Sequence, residues 1–185
     1  MSTQVFFVQG GGKDVHDTWD GRLVTSLKKE LGRAYKVHYP RMPDEAHPDP
    51  VAWKQAIAGE LRTLSEEEVI FVAHSIGAAI LFDYLADTRQ GPQPAAVFLI
   101  ANPFIGDKGW QGEHLRPTID AAARLPGGVP LYVYHGTADE TVPVSHLRLL
   151  AKAVPDAIVR CLEGRDHQLN DDLSELAHDI RRLGR

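Results

Sequence analysis

Cysteine is nearly absent from this chain. Cys161 stands alone in 185 residues, so no intrachain disulfide can form, and a reducing compartment fits. Long apolar runs are also missing. No stretch approaches the ~18 residues needed to span a bilayer. Val5-Phe6-Phe7-Val8 is too short for a secretion-signal core, and no basic region precedes it. The expectation is a soluble, cytoplasmic protein with no membrane partner. Positive charge is not in excess: 20 Lys and Arg face 25 Asp and Glu, a formal net charge of −5, which argues against a nucleic-acid partner. The basic pairs Lys28-Lys29 and Arg181-Arg182 fall in helical segments and read as solvated faces. His38, His47, His114, His146 and His178 show no metal-ligand spacing. The glycine run Gln9-Gly10-Gly11-Gly12-Lys13 fits neither a Walker loop nor a dinucleotide fingerprint. Neither a metal nor an organic cofactor is expected. No repeat, low-complexity tract or linker interrupts the chain, and a single domain over residues 1–185 can bury roughly 70% of its unfolded surface.

What is present is a regular alternation. Short apolar runs at Val5–Val8, Tyr35–Tyr39, Val69–Ala73, Ala96–Ile100, Val129–Gly136 and Ala157–Leu162 read as strands. Helical segments separate them, from Asp17 as a cap to about Leu31, after Pro50 to about Leu64, beyond Ser75, and over Ser145–Ala153. A last helix, capped by Asn170, runs from about Asp171 to Leu183. Strands alternating with helices predict an α/β fold, a parallel sheet covered on both faces with right-handed crossovers.

The third strand runs into Ala73-His74-Ser75-Ile76-Gly77 and then into a helical run, Ala78–Leu85. A serine on a sharp strand-to-helix turn needs small residues at minus two and plus two, because the flanking backbones nearly touch. Ala73 and Gly77 meet that need. The turn presents the Ser75 hydroxyl at a helix start, where the Ile76 N–H is available to an oxyanion. Asp139 lies in Gly136-Thr137-Ala138-Asp139-Glu140-Thr141-Val142-Pro143, just past the fifth strand. His167 lies in Gly164-Arg165-Asp166-His167-Gln168-Leu169, past the sixth. Serine, acid and histidine each follow a strand, so all three belong on the carboxyl edge of the sheet.

These three motifs resemble those of the α/β-hydrolases. Within that superfamily the chain is most similar to compact serine hydrolases of the retinoblastoma-binding protein type and their bacterial relatives, over nearly its whole length. The resemblance implies a single-domain, three-layer fold with a mostly parallel six-stranded sheet in the order 2-1-3-4-5-6. It implies Ser75, Asp139 and His167 as the catalytic residues. Glu140, Asp166 and Asp107 are also acids in post-strand loops, but the family's motif puts the acid at Asp139. The loop after the first strand is implied to supply the second oxyanion donor, Gly11 or Gly12. His74 and His135 read as structural, His135 as a holder of the acid loop. Trp19 and Trp53 read as packing residues.

The long connection from Asn102 to Gly128 carries Phe104, Ile105, Trp110 and Leu115, with a short helix near Thr118–Arg124. It is either a flap that offers Phe104 and Trp110 to a substrate or a cover for the sheet edge. The expected activity is hydrolysis of a small carboxylic ester, or a related acyl substrate, through an acyl-enzyme. The alternative is a protein-binding module that kept the hydrolase scaffold; the intact serine, acid and histidine argue against it.

Overall fold

The strands in this computed structural model are β1 (Thr3–Val8), β2 (Tyr35–His38), β3 (Val69–His74), β4 (Pro94–Ile100), β5 (Leu131–Gly136) and β6 (Ile158–Leu162). The structure describes residues 2–64, 68–87, 92, 94–125 and 127–183. The strands form one sheet in the order β2-β1-β3-β4-β5-β6, and every neighbouring pair is parallel. The expected order is met, and the sheet is parallel throughout. The helices are α1 (Asp20–Leu31), α2 (Pro50–Leu61), α3 (Ser75–Asp87), α4 (Thr118–Ala122), α5 (Ser145–Ala153) and α6 (Ser174–Arg182).

Successive side chains on a strand point to opposite faces, and here both faces are buried, as parallel sheets require. Val5, Phe7, Ile70, Val72, Phe98, Ile100 and Tyr134 pack with Leu23, Val24 and Leu27 of α1 and Leu176 and Ile180 of α6. Phe6, Val8, Phe71, Ala73, Val97, Leu99 and Val133 pack with residues of α2, α3, α4 and α5 on the other face. Each helix covers the sheet with residues at helical spacing. In α2 these are Trp53, Ile57 and Leu61, each worth roughly 1.5–3 kcal/mol when fully buried. Asp49 starts that helix by accepting from the N–H groups of Val51 and Ala52, with Pro50 in the first turn. Helix α3 is buried nearly all round, from Gly77 to Leu85, because it lies in the middle of its layer.

Two helix starts differ from expectation. Asp17 does not cap; a π-helical turn over Val15–Trp19 precedes α1, and Asp17 pairs with His16 and Arg41 at the surface. Asn170 does not cap α6 either. It sits in the left-handed region at φ 56°, and its side chain accepts from the Asp166 N–H. Asp172 takes over near that helix start, accepting from the Ser174 N–H at 2.9 Å.

The connection after β4 is a cover for the core. Phe104, Ile105 and Leu115 are buried, and the Ile105 N–H donates to Thr118 Oγ1 at 2.8 Å. Arg116 ties this segment to α3 through Asp83 and Asp87.

Candidate active site

The turn after β3 holds Ser75 at φ 54°, a left-handed conformation that costs a non-glycine residue roughly 1–3 kcal/mol. The space for the turn comes from Gly77. A β-carbon there would lie 1.9 Å from the backbone oxygen of Gln9, so no larger residue fits without moving β1 or α3. The loop after β6 is brought in the same way. A β-carbon on Gly136 would lie 2.1 Å from the Arg165 oxygen, so glycine at the end of β5 lets the histidine loop pass against it. That loop continues through three left-handed residues, Leu169, Asn170 and Asp171.

These turns bring the three expected side chains together. His167 Nε2 lies 3.0 Å from Ser75 Oγ, and His167 Nδ1 lies 2.8 Å from Asp139 Oδ2. With Nδ1–H donating to the carboxylate, Nε2 is left to accept from the serine hydroxyl. The other oxygen of Asp139, Oδ1, accepts from the N–H groups of Thr141 and Val142, both at 2.8 Å. Burial penalises the charged form of Asp139. The His167 hydrogen bond, together with the Val142 and Thr141 N–H groups, outweighs that and holds the carboxyl below the usual aspartate value. Glu140 and Asp107 are exposed, and Asp166 spends its carboxylate on the Gln168 and Asn170 N–H groups.

His135 holds the acid loop from the strand side: its Nε2–H donates to the Val142 carbonyl at 2.7 Å. Its Nδ1 is buried with no hydrogen-bond partner among the described residues. Burial pushes its pKa below the ordinary histidine value, which fits a neutral imidazole protonated on Nε2.

The glycine loop after β1 lies over Ser75. The two expected glycines part company here. The Gly12 N–H is committed to the Glu45 backbone oxygen at 2.6 Å, so Gly12 drops out as an oxyanion donor. Gly11 packs against Ile76, whose side chain a β-carbon on Gly11 would approach to 2.9 Å. Ile76 itself is in the first turn of α3, where backbone N–H groups have no partner within the helix.

A cleft of about 630 Å³ opens above Ser75, walled by Gly10–Lys13, Val15 and Trp19 on one side and by Glu140, Thr141 and Gln168 on the other. Neither Phe104 nor Trp110 lines it. Phe104 is turned into the core, and Trp110 packs edge-on to His146 at 5.9 Å, so their assignment to the substrate pocket is corrected. Trp19 corrects a second expectation. It is 47% exposed, with the Arg22 guanidinium 4.8 Å from the centre of its ring, because the π-helical turn swings it out of the core and into the cleft. Trp53 is fully buried, as expected.

Asp20 is the residue of the site that sequence reasoning missed. It is completely buried, and its Oδ2 accepts from the Gly10 N–H at 2.6 Å and meets His74 Nδ1 at 3.1 Å. A signal existed: Asp20 falls on the stripe of α1 shared with Leu23, Val24, Leu27 and Leu31, where an acid is costly unless it is paired. Gln9 was missed as well. Its side chain accepts from the Met42 N–H and donates to Glu45, pinning the connection between β2 and α2 to the glycine loop.

Among the described residues no group of three or more His, Cys, Asp and Glu is placed to hold a metal ion, and no helix is long and apolar enough to cross a membrane. No curated protein matches the sequence. Similar solved structures include the ydeN gene product from B. subtilis, 19% identical with a TM-score of 0.74, covering 97% of each chain. Est1E from Butyrivibrio proteoclasticus is 14% identical with a TM-score of 0.70, over 97% of this chain and 85% of that one. A monoacylglycerol lipase of Paleococcus ferrophilus is 15% identical with a TM-score of 0.72, over 97% and 94%. At these identities they establish the α/β-hydrolase fold. The sequence itself matches the serine hydrolase family model over residues 9–172, nearly the whole chain, and it is to the serine hydrolases that this protein belongs.

Proposed function

We propose that this protein hydrolyses a small carboxylic ester through an acyl-enzyme on Ser75. The observation that carries the reading is the unbroken line from Asp139 through His167 to Ser75, at 2.8 and 3.0 Å, beneath an open cleft. In the first half-reaction His167 Nε2 takes the Ser75 proton as Oγ attacks the substrate carbonyl. Asp139 keeps the other ring proton on Nδ1 and stabilises the imidazolium. The tetrahedral oxyanion is stabilised by the Ile76 N–H, with the Gly11 N–H as the second donor. Collapse expels the alcohol, which takes the proton from His167 and leaves the acyl group on Ser75. Water then attacks that ester with His167 as base, the acid leaves, and Oγ recovers its proton.

A cleft of this volume suits a small ligand. Val15 and Trp19 offer apolar surface, while Lys13, Glu140 and Thr141 are polar, so a short acyl or alcohol group with a polar end matches it better than a long chain. Amide and thioester cleavage would use the same parts; the ester is favoured over the amide because its alcohol leaves more readily than an amine. The test is pre-steady-state hydrolysis of short p-nitrophenyl esters. The proposal expects a burst of one p-nitrophenol per protein and, on acid quench, an acyl adduct on Ser75 by mass spectrometry. Turnover without an adduct on Ser75, or none with any ester, would reject it.

A further inference from the structure

A second carboxylate–imidazole pair lies under the first. His74 immediately precedes Ser75 and is 1% exposed. Its Nδ1 lies 2.9 Å from Oδ1 and 3.1 Å from Oδ2 of Asp20, the directed bond going to Oδ2. Its Nε2 lies 3.0 Å from the backbone oxygen of His167. The two imidazole rings are 4.7 Å apart, tilted by 51°. A carbonyl oxygen only accepts, so Nε2 carries a proton. Nδ1 faces a carboxylate, one of whose oxygens, Oδ1, is buried and has no hydrogen-bond partner among the described residues. Burial alone would pull the His74 pKa down, but the charge of Asp20 and its hydrogen bond outweigh it, helped by the His167 carbonyl and the Asp139 charge behind it, so His74 titrates above the ordinary histidine value.

The pair joins three segments that lie far apart in the sequence. Asp20 holds the glycine loop through the Gly10 N–H, and a β-carbon on Gly10 would come within 3.0 Å of His74 Nδ1. His74 is covalently next to Ser75. Its Nε2–H holds the residue whose ring must reach Ser75 Oγ. We infer that His74, fixed by Asp20, is a positioning residue: by binding the His167 carbonyl it sets the placement of the His167 ring against Ser75, an inference that rests on the hydrolysis proposed above.

The chemistry of the side chains allows the two ends of His74 to be tested apart. In His74→Gln the amide nitrogen falls near the place of Nε2 and can still donate to the His167 carbonyl. In His74→Asn it falls near the place of Nδ1, keeping Asp20 company and leaving that carbonyl unheld. A misplacement of about 1 Å costs on the order of 10²-fold in turnover. The expected result is therefore a fall in kcat of roughly 10- to 100-fold for His74→Asn, with KM little changed. His74→Gln should retain most of kcat, although both variants lose the imidazole and a similar amount of thermal stability. Equal kcat losses in the two, or losses that simply follow Tm, would overturn the inference. A measurement on the unaltered protein guards against variants that fail to fold. Nitrogen-15 NMR of the histidine rings at neutral pH should show a slowly exchanging proton on His74 Nε2, and its absence overturns the inference whatever the variants do. Failure of the hydrolysis reading is distinguishable, because it appears as no ester turnover and no phosphonate labelling in the unaltered protein.

Discussion

Replacing Asp139 by asparagine changes one atom, and the surroundings decide which way the new amide must face. Asp139 Oδ1 accepts two backbone N–H bonds at 2.8 Å, from Thr141 and Val142. An amide NH₂ cannot take that place, since donors would face donors and two bonds worth roughly 1 kcal/mol or more each would be lost. The asparagine oxygen therefore stays with Thr141 and Val142, and its NH₂ is aimed at His167 Nδ1, 2.8 Å away. That nitrogen must then accept, so the ring proton moves to Nε2 and points at Ser75 Oγ. The ring can no longer take the serine proton. In the serine-protease template the same change costs about 10⁴-fold in turnover, or roughly 5.5 kcal/mol of barrier. We expect at least 10²-fold here, with the fold intact because both backbone N–H groups keep their acceptor. The assay is kcat/KM on a short p-nitrophenyl ester, with circular dichroism on each variant. Glu140→Gln, Asp166→Asn and Asp107→Asn serve as comparisons and should cost far less. Near-normal activity in folded Asp139→Asn would refute the reasoning, and collapse in Asp107→Asn instead would move the acid to the loop after β4.

Other outcomes follow from the packing. Gly77→Ala drives a methyl group into the Gln9 oxygen, and overpacking of this kind costs about 1–3 kcal/mol; calorimetry should show Tm lowered by roughly 2–12 °C, and an unchanged Tm would mean that the turn is looser than drawn. Trp19→Ala should raise KM several-fold while Trp110→Ala leaves KM alone and lowers Tm, since only Trp19 faces the cleft; the reverse pattern would restore Trp110 to the pocket. Stability should respond to acid in two stages. Burial, with charge from Lys36 or His135 added for His38 and His146, holds His38, His135 and His146 below the ordinary value of 6.5. The unfolded chain therefore binds protons first as pH falls below that, and their contribution is lost from there downward. His74 has the opposite sign, being raised, so its contribution is present below 6.5 and fades as pH rises through its folded value. Asp139 and Asp179 are held below 3.8 by hydrogen bonds that outweigh burial, and Asp172 is drawn down to about 2 by Ser174 and Arg165. Their contribution is full above 3.8 and lost toward pH 2. Tm measured between pH 8 and 2.5 should fall gently below 6.5 and steeply below 4; a flat curve down to 3 would contradict these assignments.

Much of this was legible before any coordinates. The parallel sheet follows from apolar runs that are buried on both faces, and the three expected side chains follow from their places just past β3, β5 and β6. Less legible was anything decided by where a loop turns. Trp19 and Phe104 are both aromatics beside loops, and only the π-helical turn before α1 and the hydrogen bonds between Ile105 and Thr118 put one in the cleft and the other in the core. Gly11 and Gly12 are identical in sequence terms; what separates them is that the Glu45 carbonyl, in a distant loop, takes one N–H. Asp17 and Asn170 have the chemistry of helix caps, but each has a stronger partner through space, Arg41 for the first and the Asp166 N–H for the second.

The central claim is that Ser75 is the nucleophile, and covalent labelling reaches it most directly. The protein is treated with a fluorophosphonate, digested and mapped by mass spectrometry, alongside Ser75→Ala shown to be folded by circular dichroism. The account predicts one adduct per chain, on Ser75, no adduct in Ser75→Ala, and ester turnover in that variant lower by roughly 10³-fold or more. Labelling that persists in Ser75→Ala, or that maps to another residue of the native chain, would contradict it.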